Sequence, residues 1–395
     1  MPVPSPRRTR RPPLLMALLV GVVMSVVAAL LAGCAHFPDS GPRNWRDKPD
    51  STGLLAAPPK VPEQDPEESP PPEAKPPGEI PPPQGCEDQD PLVVATCLDP
   101  VSAIAILPSG EAAYVAQRAT GVISRVEKGK PNQPIATVPV DAAGGGLKGL
   151  VLSPSFGEDR LLYGYAASSG DNRVVRITTD GQVTPVLTGI PRTPGNDGGG
   201  IAVGKNGELL VATGSEGAAS PTSLAGKILR IDSFGKPYAG NPQPSSVIYS
   251  SGLTSPGGIC TSPDTGISWV TDRGSDRDAL FRVVPGQLGA PAWNWPDKPG
   301  AAGCISQAGS VAVALRSASA LFVLQTNKTS DAFTGVPSYA LKDSYGHLSA
   351  AALSPAKIVW LGTENKGHPG KVTSSDDRVI RLPLLGGGSN GSGPD

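Results

Sequence analysis

Histidine is nearly missing from this chain: there are three in 395 residues, His36, His347 and His368. With so few imidazoles, and with no Cys-x-x-Cys or Cys/His cluster to replace them, the sequence offers no ready-made transition-metal centre. It has no Gly-x-Ser-x-Gly elbow and assembles no Ser-His-Asp triad. Charged residues make up only 17% of the chain and the formal net charge is −1. No basic stripe is present, which excludes nucleic acid as a partner. Amphipathic helical periods are also lacking. Glycine and proline are plentiful instead, with 49 and 45 residues.

The N-terminal segment specifies an address. Arg7, Arg8, Arg10 and Arg11 precede an uncharged apolar run from Leu14 to Leu31, which closes on Leu31-Ala32-Gly33-Cys34. That arrangement resembles the lipobox of a bacterial lipoprotein. Residues 1–33 would then be a signal peptide, and Cys34 would carry a diacylglycerol and become the new N-terminus. An uncleaved transmembrane anchor is the alternative, since about 20 apolar residues span a bilayer. Either way the expected location is the extracytoplasmic face of the cell membrane. Loss of residues 1–33 takes the net charge from −1 to −5.

Residues 34–84 read as a tether. Between Pro58 and Pro83, 12 of 26 residues are proline, interleaved with glutamate and aspartate. Such a stretch buries too little apolar surface to offset its ordering entropy and favours extended polyproline geometry. The glycine-rich end, 386–395, reads as a flexible tail. Cys86, Cys97, Cys260 and Cys304 are an even set in an oxidising compartment, which points to two disulfides. Three pairings are open; the expected ones are Cys86–Cys97 and Cys260–Cys304.

Residues 85–385 read as one domain, and from about residue 98 to 385 the chain repeats. A strand with an internal arginine recurs as ISRVE (Arg125), VVRIT (Arg176), ILRID (Arg230), LFRVV (Arg282) and VIRLP (Arg381). The intervals are 51, 54, 52 and 99 residues, the last being two periods. Each copy is preceded by an apolar strand, a turn and a second apolar strand, as in AIAILPSGEAAYVA and IAVGKNGELLVATG. Six such units of about 50 residues predict an all-β, six-bladed β-propeller. Because they recur, the arginines are expected to make a repeated blade-to-blade or edge hydrogen bond rather than to form five active sites.

One region carries a more specific signal. NDGGGIAVGKNGELLVATG (196–214), SLAGKILRID, VIYSSGLTSPGGI, TDRGSDRDALFRVVPG and WNWP follow one another across residues 196–296. In order and spacing they resemble the soluble quinoprotein glucose/sorbosone dehydrogenases. The resemblance implies a six-bladed propeller that uses pyrroloquinoline quinone (PQQ) and calcium to oxidise aldoses at its axial mouth.

Several functional positions of that family are altered. The resemblance puts a proton-accepting histidine where this chain has Asn196, with Asp197 beside it. An amide is not basic, and an exposed aspartate is a poor base at neutral pH. A cofactor-holding Arg-Asn pair is replaced by Thr254-Ser255. Arg273 is the nearest cation to take over, in the segment where the family has its calcium turn. There the carbonyls of Gly274 and Ser275, with Asp272, Asp276 and Asp278 nearby, are candidate calcium ligands; a solvated acidic loop is the competing expectation. Trp293 and Trp295 are candidates to stack on a sugar ring or to serve as packing. His347 falls where the sixth blade begins, close to where an axial mouth would be; a satisfied or surface histidine is the competing expectation.

The reading is a lipid-anchored propeller that has lost its catalytic groups, with no cofactor assigned. It would bind an envelope glycan, glycolipid or protein. The alternative is a PQQ-dependent sugar dehydrogenase with a rearranged site.

Overall fold

The computed structural model describes residues 83–383 apart from 196–197, 216, 218–219, 329–331 and 370–371. The leader, Cys34, the tail from Gly386 and the tether up to residue 82 lie outside the described residues.

The chain opens with β1 (Val93–Ala95) and then lays down four-stranded sheets in order. Blade one is β2 (Val101–Ile106), β3 (Ala112–Gln117), β4 (Val122–Glu127) and β5 (Gln133–Thr137). Blade two is β6 (Leu147–Leu152), β7 (Leu161–Ala167), β8 (Asn172–Thr178) and β9 (Val183–Ile190). Blade three is β10 (Gly199–Val203), β11 (Leu209–Thr213), β12 (Lys227–Ile231) and β13 (Ile248–Ser251). Blade four begins with β14 (Pro256–Thr261), β15 (Ser268–Arg273) and β16 (Asp278–Arg282). The short β17 (Gly286–Gln287) then returns to pair in parallel with β13, and β18 (Trp293–Trp295) completes blade four. Blade five is β19 (Ala301–Gln307), β20 (Ser310–Leu315), β21 (Ala320–Thr326) and β22 (Phe333–Ala340). Blade six is β23 (Leu348–Leu353), β24 (Ile358–Thr363) and β25 (Val379–Pro383), and its outermost strand is the N-terminal β1.

The first strands of successive blades touch in cyclic order, β2 to β6 to β10 to β14 to β19 to β23 and back to β2. This is the six-bladed propeller that the repeat predicts. The core is accordingly divided into six apolar clusters, each between two adjacent blades. Both faces of every sheet are therefore buried, which explains why the strands read as continuous Val/Ile/Leu/Ala runs with little alternation.

Glycine lets the inner strands approach one another. A Cβ on Gly258 would lie 2.9 Å from Gly303 Cα, and one on Gly303 would lie 2.7 Å from Ala351 N. In the glycine triplet of blade three, a Cβ on Gly198 would meet Pro256 O at 2.3 Å and one on Gly199 would meet the Tyr165 ring at 2.3 Å. The triplet is thus required for blade-to-blade packing. Gly199 and Gly200 also line the central channel, a cavity of about 300 Å³ bordered by the inner strands of all six blades.

Both expected disulfides form. Cys86–Cys97 clasps the segment leading into β1 and beyond, and Cys260–Cys304 joins inner strands β14 and β19 of blades four and five. The recurring arginines all lie on the third strand of a blade. Four of them pair across the strand with an aromatic: Arg125 with Tyr114, Arg176 with Tyr163, Arg282 with Trp269 and Arg381 with Trp360. Arg125, Arg230 and Arg381 are also ion-paired, with Glu127, Glu208 and Glu111.

Candidate functional site at the axial mouth

Antiparallel order puts the end of each second strand and the start of each first strand on the same face of the ring. Arg118 follows β3, Arg273 ends β15, Arg316 follows β20 and Glu364 follows β24. Thr254-Ser255, Lys298 and His347 precede first strands β14, β19 and β23. These residues from four different blades therefore gather on one face.

Glu364 is at the centre of the group. Its Oε2 is 3.0 Å from Arg118 Nη2, and its Oε1 is 2.6 Å from Arg316 Nε and 2.9 Å from His368 Nε2. Burial works to raise its pKa, but the His368 hydrogen bond and the Arg316 and Arg118 charges outweigh burial and hold it at about 2. Arg316 is pushed down to about 9 by burial, reinforced by the neighbouring Arg273 and Arg118 cations. Arg273 is lowered by the same causes, burial first and Arg118 second. Arg118 and Arg316 thus share one carboxylate, while Arg273 feels Asp278 and Asp272 as well as Glu364. The Arg273 guanidinium bonds only to Ser255, its Nη2 to Oγ at 3.2 Å and its Nε to the carbonyl at 3.4 Å, and it makes no ion pair among the described residues.

The Thr254-Ser255 run is pinned beside this group. Both N–H groups donate to the Asp272 carboxylate, at 2.7 to 3.0 Å. Burial raises Asp272 to about 6 against those bonds and against the Arg273 charge. Thr254, Ser255, Asp272 and Arg273 therefore do come together, with Arg273 beside the run that lacks the family's arginine. His347 lies at the mouth as well: its Nδ1 is 2.8 Å from the Arg316 carbonyl, and its ring stacks on His368 at 4.4 Å. Asn196 and Asp197 lie outside the described residues.

The candidate calcium ligands do not converge. Asp272 accepts the bonds just described, and Asp278 Oδ2 accepts the N–H groups of Gly300 and Ala301 at 2.7 and 2.8 Å. Exposed Asp276 pairs with Arg277. The Ser275 carbonyl accepts from Lys298 Nζ at 2.9 Å, so an ammonium already stands where a metal would need an oxygen. Among the described residues no three His, Cys, Asp or Glu side chains are placed to hold a metal ion. The side chains of this set and the Ser275 carbonyl are thus engaged by protein N–H groups. The guanidiniums, by contrast, suit the carboxylates of a quinone.

Trp293 and Trp295 are not brought to the mouth. They sit on β18, the outermost strand of blade four, against Phe322 at 5.7 and 5.3 Å and, for Trp293, Phe333 at 6.2 Å. Their indoles close the interface between blades four and five, so packing takes the surface a sugar would need.

Sequence reasoning missed Arg118, Arg316, Glu364 and His368. A periodic signal was available for three of them. In blades one, five and six the residue just beyond the second strand is Arg118 after AAYVAQ, Arg316 after SVAVAL and Glu364 after IVWLGT, and in blade four Arg273 ends SWVTDR.

The glucose/sorbosone dehydrogenase family model matches residues 98–297. The fold is also similar to that of solved structures. A PQQ-bound aldose sugar dehydrogenase from Streptomyces coelicolor is 30% identical, with a TM-score of 0.68 over 74% of this chain and 96% of that one. An oxidoreductase of Thermus thermophilus, assigned as a glucose dehydrogenase, is 29% identical, with a TM-score of 0.67 over 73% and 98%. The soluble aldose sugar dehydrogenase of Escherichia coli shares the fold at 20% identity, with a TM-score of 0.63 over 74% and 98%. No curated protein matches the chain. This chain belongs to the glucose/sorbosone dehydrogenase family.

Proposed function

We propose that this chain is a ligand-binding member of its family rather than a working sugar dehydrogenase, and that its axial mouth holds an anionic ligand. The observation that carries the reading is Arg273: Arg118 and Arg316 are ion-paired with Glu364, while the Arg273 guanidinium bonds to Ser255 and makes no ion pair among the described residues. A partly buried guanidinium without a carboxylate partner favours an incoming carboxylate or phosphate. The oxidising chemistry has less support. Asn196 replaces the family's proton acceptor, and the oxygens of the calcium turn are already bonded to N–H groups. In the cell the propeller would hang from a lipid on Cys34 and meet an envelope glycan, glycolipid or protein.

The second reading is a PQQ-dependent dehydrogenase with a rearranged site. The 30% identity to a PQQ-bound aldose sugar dehydrogenase favours it. Arg118, Arg273 and Arg316 would then hold the quinone carboxylates, and the quinone, when bound, would accept the hydride.

Two measurements on the purified full-length protein separate these readings. Calorimetry with citrate tests the anion site, and binding is expected. Dye reduction with aldoses in the presence of PQQ and calcium tests oxidation, and no turnover is expected. Absence of citrate binding defeats the anion site, and aldose-dependent turnover establishes the dehydrogenase.

A further inference from the structure

The face opposite the mouth carries a second gathering of cations. The first and second strands of each blade are joined there, by residues 204–208 in blade three and 262–267 in blade four. The third strands β12 and β16 run toward the same face, with Arg230 and Arg282 at or near their ends. Between the two blades lies a cavity of about 300 Å³, bordered by Lys205, Glu208, Arg230, Tyr249 and Arg282. Arg230 is fixed: its Nε is 3.2 Å from Glu208 Oε1, and its guanidinium lies over the Tyr238 and Tyr249 rings, 4.8 and 5.0 Å from their centres. The other Glu208 oxygen accepts the N–H of Asn206 at 2.9 Å. Lys205 and Arg282 have no such partner, for neither side chain makes a hydrogen bond or an ion pair among the described residues. Lys205 is nonetheless held in place. A Cβ on Gly266 would lie 2.3 Å from the Lys205 Cδ, so the lysine stem of blade three lies flat on a glycine of blade four, at the cavity that Arg282 also borders.

Arg282 departs from the rest of its series. Arg125 and Arg381 are paired with Glu127 and Glu111, and Arg176 borders a cavity that also holds Asp159 and Asp232. The cavity of Arg282 has one carboxylate among its described walls, Glu208, and both oxygens of that carboxylate are engaged. Three cations against one carboxylate leave two positive charges on a single cavity. Leu210, Ile267 and Val283 form the rest of its lining, so these charges are less screened than on an open surface. A phosphate group carries a charge of about −1.5 to −2 at pH 7, which matches that surplus, whereas a carboxylate carries one. We infer that this cavity is a second binding site, for a dianionic phosphate group, free or as a monoester, held by Lys205 and Arg282. It shares no residue with the mouth and does not depend on the reading of the mouth given above.

The test is calorimetry on the full-length protein at pH 7.5 and fixed ionic strength, with inorganic phosphate, glycerol 3-phosphate and acetate. Arg273→Gln removes the unpaired cation of the mouth, so the phosphate that this variant still binds reports the second site. Phosphate is expected to bind it about tenfold more tightly than acetate does. Adding Lys205→Gln or Arg282→Gln should weaken phosphate about three- to tenfold each. Both side chains are exposed, so the melting temperature should stay close to that of the parent. The same two substitutions in the otherwise wild-type chain should weaken phosphate as well, which keeps the test open if Arg273→Gln does not fold. Tighter binding of glycerol 3-phosphate than of phosphate assigns the site to a monoester, and the reverse assigns it to the free ion. Loss of all phosphate binding in a folded Arg273→Gln would put the anion wholly at the mouth and overturn the inference. Phosphate affinity that ignores both Lys205→Gln and Arg282→Gln overturns it too, and acetate binding as tightly as phosphate overturns the dianion.

Discussion

Arg316 places its Nε 2.6 Å from Oε1 of Glu364, with only 14% and 5% of the two side chains exposed. Arg118 and His368 bond to the same carboxylate, so Glu364 is the counter-ion that lets blades one, five and six meet at the mouth. Removing one partner of a buried pair leaves uncompensated charge, which costs about 3–5 kcal/mol. Glu364→Gln should therefore lower the stability of the propeller by about that amount in denaturant titrations at pH 7.

The pH dependence follows from the direction of the shift. Glu364 drops from an ordinary glutamate value to about 2, so the folded state favours its charged form. Its contribution is present above about pH 4.5 and is lost as pH falls toward 2, a swing of about 3 kcal/mol. Wild type and Glu364→Gln should differ most at neutral pH and converge in acid. A gap that stays constant from pH 7 to pH 3 would show that the carboxylate charge is not what the site requires.

Lys298 makes a second prediction, about calcium. Its Nζ bonds to the Ser275 carbonyl, and the segment behind it is tied down by Asp278 through Gly300 and Ala301. The ammonium supplies positive charge at a turn where the family resemblance implies a metal. Wild-type melting temperature should be unchanged by millimolar calcium or by a chelator. Lys298→Met should lower the melting temperature slightly, because an exposed hydrogen bond is lost. A calcium-dependent rise of several degrees in wild type would mean that the turn opens to take the ion.

The fold was largely legible in the sequence, and the reason is physical. A blade cannot cover its own faces, so strand, turn and strand must recur at a fixed period, and the recurrence shows in residues such as Arg125, Arg176 and Arg230. The disulfides were legible from the parity and position of Cys86, Cys97, Cys260 and Cys304. The mouth was harder to read. Glu364 and Arg118 are 246 residues apart and meet only because the ring closes. Nothing local to TENKGH or QRATG marks either as a site residue. Trp293 and Trp295 stayed open for the opposite reason: a tryptophan pair has the same composition whether it faces a sugar or, as here, Phe322 and Phe333.

The glycine waist gives a third prediction. A Cβ at position 303 would lie 2.7 Å from Ala351 N and 3.1 Å from Ser349 O, both backbone atoms of the neighbouring inner strand. Backbone cannot step aside as a flexible side chain can, so Gly303→Ala must separate blades five and six. Overpacking of this kind costs about 1–3 kcal/mol. Gly170→Ala, where a Cβ would meet nothing within 4 Å, is the control and should be close to neutral. Equal melting temperatures for the two variants would show that the inner strands are less closely packed than these distances require.

The last prediction concerns how the ring is closed. Strand β1 joins the first part of the chain to the last within blade six, through the register Val93↔Ile380 and Ala95↔Val379. Just beyond it, Cys97 N donates to Ser375 O at 2.9 Å, and Leu98 and Asp377 exchange backbone bonds at 3.1 and 3.0 Å. The Cys86–Cys97 disulfide loops this segment back on itself and limits what the unfolded chain can explore. The clasp also reaches the mouth, because Asp377 Oδ1 accepts the N–H of Asn365, the residue after Glu364. Replacing Cys86 and Cys97 with serine should cost about 2–4 kcal/mol. Amide exchange should speed up first at Val93–Ala95 and next around Asn365, before the inner strands respond. Exchange that rises uniformly over all six blades would instead show that the clasp and the ring open as one cooperative unit.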